Sequence, residues 1–444
     1  MLRNPTTLTR RFLVALGGDR RGNVIVPFAF LLPVFLAMTG LGFEGAHWYQ
    51  TEQSMQNAAD AAALAAATNA TSSYDKEAKA VAAQYGFVDG TNNVVVTTSN
   101  SAACPSGPSQ CYSVNIKAPV RLIFAQLVGY TGDTKVGTAA AQLVTAQAVA
   151  SQATAPRSYC LVGLASSGAS QAIRTNGAPK ADLTGCSVMS NTDAQCNGHD
   201  LKATYGDAAG TSSGCGATQT SKVKPITDPY VGLASNIPPD PCSSYAQIPA
   251  KKSGTPLPSS NKLSGTVNWG GNQTICGDLQ LTGDVTLTGS DLVLVIQNGQ
   301  LDTNGYTIKT ASGAAATIVF SGDNSGSYTH APTGGGTIDI AAPTSGAWSG
   351  VAMYQDPDLT SGVDVSAAGN SPTWDITGLV YLPHASVTFS GAVNKSSNGQ
   401  SCFVMVADNI TINGTGSILS TGGCAKAGLN MPQNQVPSRG KLVA

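Results

Sequence analysis

One uninterrupted apolar segment near the N-terminus constrains this chain more than any other feature. Residues Val24 to Phe43 read VIVPFAFLLPVFLAMTGLGF and contain no charged side chain. Twenty residues of α-helix extend about 30 Å, which is the thickness of the hydrocarbon core of a bilayer. Pro27 and Pro33 are compatible with such a helix, because neighbouring groups can satisfy the carbonyls that proline leaves free. The segment is therefore predicted to be a transmembrane helix.

The residues that flank this segment predict its orientation. One acid, Asp19, precedes it, whereas Glu44 and Glu52 follow it, and Trp48 and Tyr49 lie where interfacial aromatic residues concentrate. The basic residues on the N-terminal side are Arg3, Arg10, Arg11, Arg20 and Arg21. Since positive charge is retained on the cytoplasmic side, the N-terminus is expected in the cytoplasm and the rest of the chain outside it.

A cleaved secretory signal is the alternative interpretation of the same segment. The apolar region of a signal peptide is usually about 7–15 residues long and ends at a small-x-small site. The run in this chain is longer, and the helical pattern continues beyond it. We therefore predict a retained anchor, with residues 1–23 as a cytoplasmic basic tail and residues 24–43 as the membrane span.

The cysteines predict an oxidising compartment. All ten lie between Cys104 and Cys424, beyond the predicted span. An even number in that position favours disulfides. Zinc is the alternative, but zinc sites usually contain close C-x-x-C pairs and none occurs. Cys104 and Cys111 flank a Pro/Gly loop and are a candidate pair. The other candidates are Cys242 with Cys276, Cys402 with Cys424, and two bonds among Cys160, Cys186, Cys196 and Cys215.

Residues 44–86 are predicted to form a helical stalk. Gly45 to Ala70 is rich in alanine, the strongest helix former, and a second helix, YDKEAKAVAAQYGF, ends near Gly86. Small side chains permit close helix–helix approach, so one hypothesis is a homo-oligomer formed through the alanine-rich face. The alternative is that the helix lies on its own domain.

Taken in this order, these segments resemble the N-terminal region of the TadE/TadG-like family of the Flp, or tight-adherence, pilus assembly system. The resemblance covers residues 20–67, which begin with Arg-Gly-Asn and end in AADAAALAAA. It implies a single-pass protein of the bacterial inner membrane with a periplasmic body that supports pilus assembly. It also implies membrane lipid and other pilus-assembly or minor pilin-like proteins as partners.

Residues 87–155 are predicted to form a small α+β domain. The sequence indicates strands at Asn93 to Thr98 and Tyr112 to Lys117, a short helix near Val120 to Val128, and a strand-like run from Thr134 to Val149. This arrangement is similar to the pilin-head-like unit that follows the anchor in TadE/TadG-like proteins.

The C-terminal half is predicted to be all β. Short apolar pieces alternate with Thr or Ser, and Asn-Gly and other turn residues separate them. The pattern favours a right-handed parallel β-helix, with apolar rows inside and Thr, Ser and Asn outside, and leaves a β-sandwich as the alternative. The predicted parts are first coils at 156–221, a Pro-rich strap at 222–262, a main β-helix at 263–425 and a flexible tail at 426–444.

No residue pattern in the sequence predicts catalysis. The formal net charge of −1 provides no electrostatic footprint for nucleic acid. The one G-x-S-x-G match, GTSSG at residues 210–214, lies in a stretch without a predicted helix, so it does not indicate a nucleophile elbow, and no H-E-x-x-H motif occurs. The four histidines are scattered: His47, His199, His330 and His384. We therefore predict a structural or assembly protein that is not an enzyme and has no cofactor or metal site.

Two alternatives to this function depend on a few residues of the C-terminal half. Trp269, Trp348 and Trp374 are candidates for stacking on sugars in a surface adhesin or glycan-binding module. Asp356 and Asp358 are the close acidic pair that a glycan-active enzyme would require.

Overall fold

The computed structural model describes residues 25–70, 72–104, 110–166, 171–197, 200–242, 256–324, 328–360, 363–367, 373–389, 402–413, 417–419, 423–438 and 440–443. The predicted cytoplasmic tail, part of the strap and His199 lie outside these residues. The chain divides into two compact units. The N-terminal unit comprises residues 1–155 and 437–444, and the C-terminal unit comprises residues 156–436.

The N-terminal unit consists of two helices and an antiparallel sheet. Its elements are α1 (Ile25–Asn69), α2 (Tyr74–Gln84), β1 (Val95–Ala102), β2 (Cys111–Arg121), a 3₁₀ turn (Ala125–Val128), β3 (Thr134–Val136), β4 (Ala139–Ser151) and β29 (Lys441–Leu442). The strand order is β1-β2-β4-β29, and β3 pairs with β4. These elements follow the predicted helices and strands, except that the last predicted strand is two strands.

The second half of α1 packs against the sheet of its own unit. The buried side chains recur every three to four residues and are Met55, Ala58, Ala59, Ala62, Ala63, Ala66 and Ala67. They share a core with Val114 and Ile116 of β2 and with Ala146 and Ala148 of β4. Alanine permits this approach because its side chain ends at Cβ. The alternative that the helix lies on its own domain is thus the one observed, and this alanine face is not free for a homo-oligomer.

The C-terminal half forms many short strands, as predicted. Their bounds are β5 Thr154–Ser158, β6 Leu161–Gly163, β7 Ile173–Asn176, β8 Lys180–Asp182, β9 Val188–Ser190, β10 Ala194–Cys196, β11 Tyr205–Ala208, β12 Ser212–Ser213, β13 Thr218–Ser221, β14 Lys262–Val267, β15 Asn272–Cys276, β16 Leu279–Leu287, β17 Leu292–Gln297, β18 Leu301–Asp302, β19 Thr307–Thr310, β20 Ala316–Ser321, β21 Pro332–Thr333, β22 Thr337–Ala341, β23 Val351–Gln355, β24 Val363–Ala367, β25 Thr373–Phe389, β26 Phe403–Asn413, β27 Ser417–Leu419 and β28 Gln433–Pro437. Short 3₁₀ turns lie at Val231–Asn236, Ser259–Asn261 and Gly423–Ala427.

Twenty of these strands form one sheet whose pairings are parallel. One inner ladder of buried residues, each in register with the next, consists of Leu294, Ile318, Met353, Val380, Met405, Leu161 and Val188. Stacked parallel ladders are compatible with the predicted β-helix, whereas a β-sandwich is built from antiparallel strands. The right-handed winding stays a prediction.

Strand β26 joins two blocks of coils. On one side it pairs with β25, through Val380 and Met405, and on the other with β6, through Met405 and Leu161. The last coils of the chain therefore stack directly on the first. The first block extends from β6 to β13, and the main block extends in the opposite direction to β15. The strap between β13 and β14 must consequently connect the two opposite ends of the stack.

A second apolar ladder lies on the outer face of the same strands. Its members are Val295, Val319, Tyr354, Tyr381, Val406, Val162 and Met189. All six residues of Leu292–Gln297 and of Ala316–Ser321 are buried, because both faces of these strands are covered. The expectation that outer faces carry only Thr, Ser and Asn is therefore wrong on this side of the coils.

The strap covers this outer ladder. Val223, Ile226 and Tyr230 are buried in the same apolar cluster as the ladder. Its contacts advance along the stack: Val223 N–H donates to Ala208 O (3.1 Å), Ile226 N–H to Asn191 Oδ1 (2.8 Å), Tyr381 Oη to Asp228 Oδ2 (2.6 Å) and Tyr354 Oη to Tyr230 O (3.1 Å). A disulfide joins Cys242 to Cys276 at the end of β15. The Pro-rich segment is thus an ordered strap over its described residues.

All ten cysteines are paired. The disulfides join Cys104 to Cys111, Cys160 to Cys186, Cys196 to Cys215, Cys242 to Cys276 and Cys402 to Cys424. Each bond links residues fewer than 40 positions apart, the longest separation being 34. The bonds therefore fasten neighbouring coils or loops and not distant parts of the sequence.

The predicted flexible tail is wrong for its described residues. Leu429 and Val436 are buried in the cluster of the outer ladder, and Tyr159 N–H donates to Pro432 O (3.0 Å). Farther along the chain, β29 pairs with β4, and Gly440 N–H donates to Thr68 Oγ1 (2.9 Å). The polar composition of this segment concealed its few apolar residues and its backbone pairing.

The Tyr381 hydroxyl provides a test of the strap. We expect Tyr381→Phe to lower the free energy of unfolding of the full-length protein by about 1.5–3 kcal/mol, the usual contribution of a hydrogen bond to a charged group. The measurement is denaturant unfolding in detergent. Tyr306→Phe is the matched control, because Tyr306 is exposed and its change should have no effect. Equal stabilities for the two variants would contradict a role for this bond in holding the strap.

Candidate functional site

The first half of α1 presents an apolar surface that the described part of the chain leaves uncovered. Between residues 28 and 43 the exposed large side chains are Phe28, Phe30, Leu31, Leu32, Val34, Phe35, Leu36, Met38, Leu41 and Phe43. The helix from Phe28 to Thr68 is long and apolar enough to cross a membrane: its most apolar stretch of 18 residues has a mean hydropathy of 1.6, and only 11% of that stretch is buried. A contiguous apolar surface of this kind marks a membrane or protein interaction site.

A buried carboxylate lies at the end of this surface. Glu44 is 4% exposed, and its carboxylate accepts hydrogen bonds from the backbone N–H groups of Ile123 (2.8 Å), Phe124 (2.7 Å) and Ala125 (2.6 Å). These donors begin the 3₁₀ turn at Ala125–Val128 and would otherwise lack partners, as at any helix start. Bonds to a charged acceptor are about twice as strong as neutral ones. Glu44 therefore fastens the loop of residues 122–130 to α1.

Two further contacts fix the same loop on α1. Gly40 lies one turn before Glu44, and a Cβ at this position would approach the Phe124 ring to 2.7 Å, so only glycine admits the ring. Trp48 lies one turn after Glu44, and its ring centroid is 6.0 Å from that of Tyr130. Loop 122–130 is thus held against two turns of helix at the point where the apolar segment ends.

Sequence reasoning used Glu44 and Trp48 only as markers of orientation and did not find this junction. The partners of Glu44 are separated from it by 79 to 81 residues. A glutamate immediately after an apolar run and an uncharged loop, LIFAQLVGY, are the two signals in the sequence. Nothing in their spacing indicates that they meet.

The tryptophans proposed for glycan stacking are not presented for it. Trp374 is fully buried and Trp348 is 6% exposed, while Trp269 is half-buried against the inner core. A groove of the C-terminal unit is lined by Ser, Thr, Ala and Gly residues with one carboxylate, that of Asp291. Sugar recognition by stacking requires an exposed aromatic face, which these residues do not supply.

Asp356 and Asp358 form a local turn around Pro357. The N–H of Asp358 donates to Asp356 Oδ1 (3.0 Å), and Ser321 Oγ donates to Asp356 Oδ2 (2.7 Å). Both carboxylates therefore belong to one loop. Glycoside hydrolysis instead requires two carboxyl groups that flank the scissile bond from opposite sides of a cleft. The absence of enzymatic activity stays a prediction.

The described histidines lie apart from one another. His47 is exposed on α1, and His384 Nε2 lies 2.9 Å from Pro357 O. His330 is 1% exposed, and neither of its ring nitrogens has a hydrogen-bond partner. Burial lowers the pKa of His330 to about 4, despite the opposing charges of Asp323 and Asp356. Within the described ranges, no three His, Cys, Asp or Glu side chains converge to hold a metal ion.

In the comparison with known proteins, the segment that contains α1 matches a protein family. Residues 22–69 match the model of the TadE/G-like Flp pilus-assembly family. The resemblance expected from the sequence is thereby confirmed over this segment, which includes both the exposed apolar half of α1 and its sheet-packing half. No curated protein and no solved structure matches the chain.

Replacing Glu44 tests the junction. We expect Glu44→Gln to weaken the attachment of loop 122–130 by about 2–3 kcal/mol, because the neutral amide has one oxygen acceptor instead of two. Amide hydrogens of residues 123–125 should then exchange with solvent roughly a hundredfold faster in the full chain in detergent. Glu52→Gln, at an exposed position of the same helix, is the control and should leave exchange unchanged. Unchanged exchange in Glu44→Gln would show that the carboxylate does not hold the loop.

The burial of His330 leads us to predict that the free energy of unfolding depends on pH. Because the pKa of His330 is about 4 in the folded chain and about 6.5 when unfolded, the unfolded state binds more protons between these values. This group's contribution to stability is therefore present above about pH 6.5 and decreases by up to roughly 3 kcal/mol as the pH falls to 4. His330→Asn should remove that decrease, since asparagine does not titrate and tolerates the φ of 28° at this position.

The measurement compares denaturant unfolding of both proteins across this pH range. Exposed His47→Asn is the control and should retain the wild-type slope. Identical slopes in wild type and His330→Asn would contradict the buried, neutral state of His330.

Proposed function

We propose that this chain is a structural component of a Flp-type (tight-adherence) pilus assembly system, anchored in the bacterial inner membrane by α1. In this proposal the N-terminus is cytoplasmic, and both compact units are periplasmic. The observation that carries the proposal is the coincidence of the family match with the exposed apolar half of α1. The segment similar to pilus-assembly proteins is the same segment whose large apolar side chains are exposed.

The proposed mechanism is anchoring and docking, without catalysis. Helix α1 has 45 residues and extends about 68 Å, so one continuous rod belongs both to the membrane span and to the core of the N-terminal unit. Movement of the span is then transmitted to the sheet without an intervening hinge. The protein would hold its periplasmic surfaces in place for other pilus-assembly or minor pilin-like proteins.

The disulfides support the periplasmic location. All ten cysteines are paired, and disulfides persist in the bacterial periplasm and are rare in the cytosol. The distribution of arginine supports the same orientation by the positive-inside rule. Arginines precede the span, and residues 22–120 contain no arginine.

A topology experiment on the full-length chain tests the location. We expect the wild type to remain in the membrane fraction after alkaline carbonate extraction. A C-terminal tag should be digested by added protease only after the outer membrane is permeabilised. Thiol reagents should label the denatured chain only after reduction. The double variant Leu31→Lys, Leu36→Lys should release the chain from the membrane, because charge in the hydrocarbon core is costly.

Val231→Lys is the matched control, since Val231 is an exposed apolar residue of the C-terminal unit. It should leave membrane association unchanged. A soluble, cytosolic chain with reactive thiols would overturn the proposed location.

The assembly role is tested in a strain that lacks this gene. Surface pili should be lost in that strain and restored by the wild-type chain and by Val231→Lys, but not by the double lysine variant. Normal piliation in the deletion strain would contradict the assembly role even if the topology is as proposed.

A further inference from the structure

Loop 122–130 exposes a second apolar surface next to the one on α1. Its nine residues, LIFAQLVGY, carry no charge. Ile123, Leu127 and Val128 are 63%, 78% and 58% exposed, although each is a large apolar side chain. The loop is nevertheless held firmly, because Glu44 binds its backbone and Phe124 packs over Gly40. A rigid loop with an outward apolar tip requires a partner surface.

The position of the loop indicates what that surface is. Its contacts on α1 are Gly40, Glu44 and Trp48, whereas the exposed apolar run of the helix continues to Phe43. The loop tip therefore lies beside the last turns of the proposed span, where hydrocarbon gives way to headgroups. The exposed apolar residues of the loop are thus attached to α1 within one turn of the end of its apolar run.

We propose that loop 122–130 inserts its apolar tip into the periplasmic leaflet and makes a second membrane contact beside α1. The occupant of this surface is lipid: acyl chains around Ile123, Leu127 and Val128, with headgroups above them. This inference rests on the proposed function, because it requires α1 to span the membrane.

The residues around the tip fit an interface between hydrocarbon and water. Trp48 and Tyr130 contact each other one turn beyond Glu44, and such amphipathic rings concentrate at headgroup level. Arg121, the last residue of β2, and Lys135 in β3 are exposed on the strands that flank the loop, as is Asp133 just before β3. Cations at this level attract anionic headgroups.

Two membrane contacts would define the orientation of the N-terminal unit. A span alone permits rotation of the unit about the helix axis. The loop lies to one side of α1, so its insertion selects one rotation and one tilt relative to the bilayer. The sheet of the unit then presents the same edge to neighbouring membrane proteins at all times.

The experiment places a fluorescent label on single introduced cysteines in the full-length chain. All ten native cysteines are in disulfides, so a maleimide label selects the new thiol under non-reducing conditions. The protein is reconstituted into vesicles of phosphatidylcholine and phosphatidylglycerol, with or without lipids that carry a spin label on the acyl chain. Leu127→Cys reports on the loop tip, and Leu36→Cys reports on the span.

Leu442→Cys is the matched control. Leu442 is exposed and pairs with Ala150, which pairs with Tyr112, nine residues from Arg121 along β2. That distance is about 30 Å, so this label should lie well outside the bilayer. We expect spin-labelled lipid to cause a loss of fluorescence at positions 127 and 36 and no loss at position 442.

The outcomes separate the two proposals. Quenching at position 36 without quenching at position 127 would overturn the insertion of the loop and leave the anchor intact. If position 127 is also shielded from aqueous iodide in that case, its occupant is a protein surface and not lipid. Absence of quenching at position 36 would overturn the proposed anchor itself.

Discussion

The hydrogen bonds accepted by the buried carboxylate of Glu44 are the interaction on which the arrangement of the apolar surfaces depends. The carboxylate lies on the residue that follows the apolar run, and its three backbone hydrogen bonds hold loop 122–130 against α1. Without it, the loop would present unpaired N–H groups beside an apolar helix, which is costly wherever water is scarce. With it, the loop that carries the exposed Ile123, Leu127 and Val128 is held against the end of the apolar half of α1. The same helix then continues into the core of the N-terminal unit, where alanines let it approach the sheet.

The C-terminal unit depends on a different constraint: its strands carry apolar residues on both faces, so both faces have to be covered. Its inner ladder is covered by the opposite walls of the coils, and its outer ladder by the strap and the segment around Leu429. Because β26 pairs with both β25 and β6, the strap has to connect opposite ends of the stack. Its position over the tyrosines is therefore a consequence of the coil order, and it also removes a large apolar face from water.

Much of this structure could be predicted because it depends on local patterns. The length of α1 follows from its apolar run and its alanine content. The strands near Val95 and Cys111 and a mainly β C-terminal half follow from periodicity and turn residues. The candidate cysteine pairs were close in sequence, and the pairs in the structure have the same partners where single pairs were named. Short separations and regular periods are what a single sequence displays.

The parts that could not be predicted depend on contacts between distant residues. The bond between Glu44 and Ile123 and the pairing of Met405 with Leu161 leave no periodic signal, since any glutamate or any short apolar strand would look the same. The alanine face of α1 was compatible with either a neighbouring helix or a sheet. The tail was misjudged because a few buried residues, such as Val436, decide its order despite its polar composition.

If the protein is exported as proposed, the position of β26 affects the order in which its coils can assemble. During the proposed translocation the first coils would emerge early, and the edge of β6 on which β26 stacks would stay open until residue 403 and its neighbours follow, more than 200 residues later. An unpaired edge strand is a template for pairing with other chains. Closure over such a separation is also slow, because chain entropy opposes it. In the proposed periplasmic location, this open edge would need protection until β26 is in place, which is a task suited to a periplasmic chaperone.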